Sequence, residues 1–104
     1  MDEIKALKKF LSKYKLQFRD FSFISFMSDK KRFSFCAGCK GEGEFEEFKR
    51  RLEESGLKPV DKYKGNLISF VRYGGRVGGY DFVVYVEKWE IPKRRRKQLE
   101  VIER

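Results

Sequence analysis

Tyr80-Asp81-Phe82-Val83-Val84-Tyr85-Val86-Glu87-Lys88-Trp89 is the stretch that decides the fold. Tyr80, Phe82, Val84 and Val86 make an uninterrupted apolar face, while Asp81, Tyr85, Glu87 and Trp89 occupy the alternate positions. Side chains on a strand point alternately to its two sides, so the segment reads as a strand with one face turned into a core and one turned outward. Tyr85 and Trp89 are then the outward aromatics.

Working outward, Asn66 to Tyr73 reads as the strand paired with it, around Gly74-Gly75-Arg76-Val77-Gly78-Gly79. Four glycines predict a mobile loop there that lets backbone approach a ligand closely. Residues 2 to 14 put Ile4, Leu7, Leu11 and Tyr14 on one helical stripe, with Asp2 and Glu3 at the positive helix end and Lys13 and Lys15 at the negative one. Leu16 to Met27, the turn Ser28-Asp29-Lys30-Lys31 and Arg32 to Ala37 form a hairpin with a basic tip.

Gly41 and Gly43 then precede a second helix, about Glu44 to Ser55, with Phe45, Phe48 and Leu52 as its stripe. Glu46/Arg50 and Glu47/Arg51 are its expected surface pairs, and Gly56, Leu57 and Pro59 its stop signal. A polar connection follows. The predicted architecture is α+β, ordered helix-hairpin-helix-hairpin, with a four-stranded, mainly antiparallel sheet carrying helices on one face. Ile-Ser-Phe at 24 to 26 and again at 68 to 70 hints at a duplicated helix-hairpin unit.

A chain of 104 residues supports one modest core, so residues 1–92 are read as a single domain and 93–104 as a basic tail or short helix opened by Pro92. The net charge is +9, with the excess at both ends of the chain. Such a surface attracts polyanions and disfavours an acidic partner-mimic role. No apolar run of about 18 residues and no signal-peptide pattern occurs, which predicts a soluble, cytoplasmic protein with no membrane partner. Histidine is absent, Asn66 is the one asparagine, Gln17 and Gln98 are the glutamines, and 39% of residues are charged. That composition is expected of a thermophile, and the source is read as archaeal.

Aromatic residues make up 16% of the chain, and on the predicted strands they neighbour cations, as in Phe18-Arg19, Lys31-Arg32-Phe33-Ser34-Phe35 and Arg72-Tyr73. A ring offers a stacking surface to a nucleobase while an adjacent cation meets the phosphate. Phe21, Phe23, Tyr73, Tyr85 and Trp89 are the expected base contacts; Arg19, Lys30, Lys31, Arg32, Arg72, Arg76, Lys93, Arg94, Arg95 and Arg96 are the expected phosphate contacts. Burial in the core competes for the eleven Phe. Leu99, Val101 and Ile102 leave a homodimer open.

Cys36-Ala37-Gly38-Cys39 is the one catalytic-looking motif. Two thiols without an imidazole cannot close a zinc site within one chain. Redox use of the pair is disfavoured, because Lys40 to Gly43 separates Cys39 from the helix start and Glu42 and Glu44 oppose thiolate formation. A buried pair or a structural disulfide between Cys36 and Cys39 is the expected role. Without histidine the usual general base and nucleophile pairs lack parts. Glu42, Glu44, Glu46 and Glu47 read as solvated charge at a helix start, and glycines 74 to 79 lack the GK[ST] of a phosphate loop. No enzyme, metal or cofactor is expected.

Gly79, Tyr80, Phe82, Val83 and Tyr85 resemble the RNP1 strand of RNA-recognition motifs, which would make Tyr80 and Phe82 the stacking pair. Gly78 and Asp81 depart from that pattern, and the inward face of the strand favours Tyr85 and Trp89 instead. Over roughly residues 1 to 90, the helix-hairpin-helix-hairpin order and the basic-aromatic composition resemble the archaeal ThermoDBP-related family of single-stranded nucleic-acid-binding proteins. The resemblance implies a cleft beside the sheet where bases meet apolar side chains and Lys/Arg flank the backbone. Longer members end in a leucine zipper, for which residues 92–104 provide under two heptads. The expected function is non-enzymatic binding of single-stranded DNA or RNA with low sequence specificity. The alternative is a protein-interaction or inhibitor module, host or viral, that docks an aromatic face on a partner subunit.

Overall fold

The computed structural model describes residues 2–89, so the expected tail or short helix at 93–104 lies outside the described residues. Two helices, α1 (Glu3–Lys13) and α2 (Glu42–Glu54), accompany five strands: β1 (Phe23–Met27), β2 (Arg32–Cys39), β3 (Lys58–Lys64), β4 (Ile68–Val77) and β5 (Tyr80–Trp89). They form one α+β unit with a mixed, mostly antiparallel sheet in the order β1-β2-β5-β4-β3. The single parallel pair, β2 with β5, sits at its centre.

The expected four strands become five because Lys58–Lys64, read as a polar connection, pairs antiparallel with β4 along the sheet edge. Every residue of β3 is exposed, so burial supplies no alternating hydrophobic signal there. Its Pro59 and the register shift between Pro59 and Asp61 suit an edge position. The first strand is shorter than expected: Phe18–Asp20 is a 3-10 turn held by a bond from the Gln17 amide to Asp20 Oδ2 at 2.8 Å, and β1 begins only at Phe23. The glycine loop also shrinks. Gly74, Gly75, Arg76 and Val77 belong to β4, leaving Gly78 and Gly79, both at positive φ, as a two-residue hairpin turn.

Both helices cover the same face. Phe33, Phe35, Ala37 and Cys39 of β2, Tyr73 and Val77 of β4, and Phe82, Val84 and Val86 of β5 are buried beneath Phe10 and Leu11 of α1 and Phe45, Phe48 and Leu52 of α2. Phe10 is the keystone, its ring stacked at 4.1 Å on Phe82 and at 5.5 Å on Phe35. Close approach at this point requires Gly75: a Cβ there would lie 3.0 Å from Leu57 and 3.5 Å from Phe10. Tyr73 ties β4 to α2 by donating its hydroxyl to Glu53 Oε2 at 2.9 Å.

Local signals end both helices alike. After α2, the Gly56 amide bonds Glu53 O and the Leu57 amide bonds Leu52 O, both at 3.1 Å, with Gly56 at φ 104° and both leucines buried. α1 repeats the motif with Lys15 at φ 57°, its Leu16 amide reaching Leu11 O at 2.8 Å. The surface pairs of α2 are not the expected Glu46/Arg50 and Glu47/Arg51. Glu46 pairs Lys49, Glu47 pairs Arg50, and Arg50 also reaches Glu54.

The repeated Ile-Ser-Phe does not mark a duplicated unit. Ile24 and Phe26 face the helices, whereas Ile68 and Phe70 face away and Ser69 is the buried member. With β2 and β5 parallel and β1 and β4 flanking them, a rotation relating the hairpins must run along the strands and exchange the two faces of the sheet. Two helices on one face are incompatible with it.

Candidate functional site

The face opposite the helices has no described element over it. The pairing register sets out its rows. One row runs Phe23, Cys36, Tyr85, Arg72, Asp61, crossing five strands and about 19 Å. The next places Gly38, Glu87, Phe70 and Tyr63 side by side, and beyond it Trp89 stands beside Ile68. On the other side come Ser34, Val83, Gly74 and Lys58, then Met27, Arg32, Asp81 and Arg76.

Three rings on this face are contiguous. Tyr63 stacks on Phe70 at 5.5 Å, and Phe70 meets Tyr85 edge-on at 5.8 Å. Trp89 and Phe23 stand clear of them, 60% and 59% exposed. The basic residues gather at the opposite end, where Arg32 and Arg76 flank Asp81 and the exposed Lys30 and Lys31 form the adjoining turn. Arg76 pairs with Asp81 at 3.2 Å and Arg72 with Asp61 at 3.8 Å. The Nε atoms of Arg32 and Arg72 are buried and have no hydrogen-bond partner among the described residues. An aromatic end, a central Tyr85/Arg72 pair and a basic end together offer stacking surface and phosphate donors on one plane.

The structure thus brings together Phe23, Arg32, Arg72, Arg76, Tyr85 and Trp89 of the expected site, with Lys30 and Lys31 at its rim. Three expected residues lie elsewhere. Tyr73 is 1% exposed in the core, so its ring has no surface for a base; it falls on the inward parity of β4, and its neighbour Arg72 on the outward one. Phe21 packs on Phe35 and Phe48 beneath the helices. Arg19 lines a hollow on the helix side with Asp20, Glu47 and Arg51. Phe33 and Phe35, part of the basic-aromatic alternation, are likewise core. Lys93, Arg94, Arg95 and Arg96 lie outside the described residues.

Tyr63 and Phe70 were missing from the sequence-based site. Counting by twos from the inward Tyr73 would have turned Phe70 outward, but no burial pattern announced β3 and hence Tyr63.

Cys36 and Cys39 both lie on β2, as free thiols on opposite faces. Three residues of strand separate them by about 10 Å, beyond the roughly 7 Å Cα limit of a disulfide, which corrects the expected bridge. Burial, then Glu87, raises the Cys36 pKa; burial, then Glu44, pushes Cys39 up to about 11. Neither thiol is primed as a nucleophile.

On the helix side of the sheet edge, α2, β3 and β4 enclose a cleft of about 420 Å³ with Phe45 and Ser69 in its wall and Lys49, Lys62, Lys64 and Lys88 around it. No helix among the described residues is long and apolar enough to cross a membrane. No family model, curated protein or solved structure matches the chain.

Proposed function

We propose that this protein binds single-stranded nucleic acid, without catalysis and with little sequence preference, on the helix-free face of its sheet. The observation that carries this reading is the contiguous ring set Tyr63, Phe70 and Tyr85, flanked by exposed Trp89 and Phe23 on the same plane as Arg32, Arg72 and Arg76. Bases stack on such rings whatever their identity, and arginines track the backbone. A duplex hides the base faces and presents phosphates alone, so the platform prefers single strands. The resemblance to the ThermoDBP-related family supports the same class of ligand.

A second reading has its own observation. Asp61, Asp81 and Glu87 offset the arginines of this face, and Val60, Ile68, Val83 and Met27 add apolar surface among the rings. Such a charge-balanced surface also suits a protein partner. Salt separates the two. Titration of labelled single-stranded and duplex oligomers at several salt concentrations should give a log-log slope of about −0.7 per phosphate contacted, near −3 if Lys58 and the three arginines each hold one. A slope near zero, or no binding at low salt, refutes the nucleic-acid reading.

A further inference from the structure

The cleft on the helix side has features that the open face does not use. In the register, Lys64 of β3, Ser69 of β4 and Lys88 of β5 form one cross-strand row on the helix face, with Lys62 two residues before Lys64 on the same side. Ser69 is only 6% exposed, yet its hydroxyl has no hydrogen-bond partner among the described residues. A buried hydroxyl left unsatisfied is costly, and strands normally place an apolar residue at such a position. Lys49 and Lys88 sit over the Phe45 ring at 4.5 and 5.4 Å and pair with Glu46 and Glu42 respectively. The ammonium groups of Lys62 and Lys64 make no ion pair among the described residues. Among the described residues, four lysines less two glutamates give the cleft lining a formal charge of +2.

We infer that this cleft binds a phosphate monoester, held by Lys62, Lys64 and Lys88 with the Ser69 hydroxyl donating to one of its oxygens. A monoester dianion matches the charge of the cleft, carries acceptor oxygens for several donors at once, and supplies the bond that Ser69 lacks. A backbone diester carries a single charge and continues on both sides, whereas the cleft is bounded by α2 on one side and the sheet on the other. Two sources share this chemistry, the terminal phosphate of a strand and a free mononucleotide. Tyr63 and Phe70 border the cleft at the sheet edge, while by register their side chains belong to the aromatic row of the open face. In the first case the site receives the end of a strand that lies on that face and turns over the β3 edge. This source rests on the proposed function; the anion site itself does not.

The test is an NMR titration of the full chain with inorganic phosphate, followed by matched oligothymidylates bearing a 5′-phosphate, a 3′-phosphate or hydroxyl ends, and by thymidine monophosphate. Phosphate should shift the amides of Lys62, Lys64, Ser69 and Lys88. Lys64→Ala and Ser69→Ala should each weaken it about tenfold, whereas Tyr85→Ala, on the other face, should not. Tighter binding of an end-phosphorylated oligomer than of the hydroxyl-ended one identifies the strand terminus; equal oligomer affinities with saturable monophosphate binding identify the free nucleotide. Shifts spread evenly over the surface lysines, or affinity unchanged in folded Lys64→Ala and Ser69→Ala, overturn the anion site. Failure of the hydroxyl-ended oligomer to bind counts against the open-face function and leaves the phosphate result to decide this one.

Discussion

Trp89→Ala gives the cleanest reading of the open face. Trp89 is the sole indole, ends β5 and is 60% exposed, opposite Ile68. Its removal takes away little buried surface, and a substitution of this kind costs the fold within about 0.5 kcal/mol. Stacking of one base on a ring is worth about 1 to 3 kcal/mol, so affinity for a single strand should fall about 5- to 150-fold. Trp89→Phe, which retains an aromatic face, should lose much less. The assay needs no label for the parent protein. Trp89 emission should be that of a solvated indole, quenched on titration with oligothymidylate, and the quenching curve yields the affinity. The variant is followed with a labelled oligomer at the same salt, and its thermal unfolding confirms an intact fold. Emission insensitive to saturating oligomer, or Trp89→Ala affinity within twofold of the parent, would refute the placement of bases on this end of the sheet.

Other expectations follow from the covered face and the helix ends. Burial first, and Glu53 second, raise the pKa of the Tyr73 phenol. The stability tied to the neutral phenol is therefore fully present below the unfolded value of about 10 and is lost as pH rises beyond it. Tyr73→Phe should flatten that alkaline loss in pH-dependent denaturation, while costing about 1 kcal/mol at neutral pH for the bond to Glu53. Lys15 ends α1 at φ 57°, a conformation that strains an L side chain by about 1 to 2 kcal/mol. Lys15→Gly should raise stability by about 0.5 to 1 kcal/mol in urea melts, since the flexibility of glycine in the unfolded chain offsets part of the relief. With its pKa pushed up to about 11 and only 4% exposure, Cys39 should resist alkylation of the native protein at pH 8, whereas half-buried Cys36 reacts first. Equal labelling rates in mass spectrometry would contradict their placement on opposite faces of β2.

Alternation and local chemistry were legible in the chain before any fold was known. Tyr80 to Trp89 announced both its inward apolar face and its outward Tyr85 and Trp89, because period-two patterning is independent of what the strand pairs with. Both helices and the stop at Gly56 were legible for the same reason, their signals lying within a few residues. Strand pairing and helix packing set the rest. β3 is a strand because β4 offers it an edge to pair with, and a fully exposed strand carries no burial pattern to betray it. Arg72 and Tyr73 read as one basic-aromatic pair, yet adjacent residues on a strand point to opposite faces, so one reaches the candidate site and the other the core. The central parallel pairing of β2 with β5 sets which rings share a plane, and the packing of α2 over the sheet edge gathers Lys49, Lys64 and Lys88 around Ser69. Those residues are far apart in the chain, and sequence spacing alone is blind to a neighbourhood made by pairing and packing.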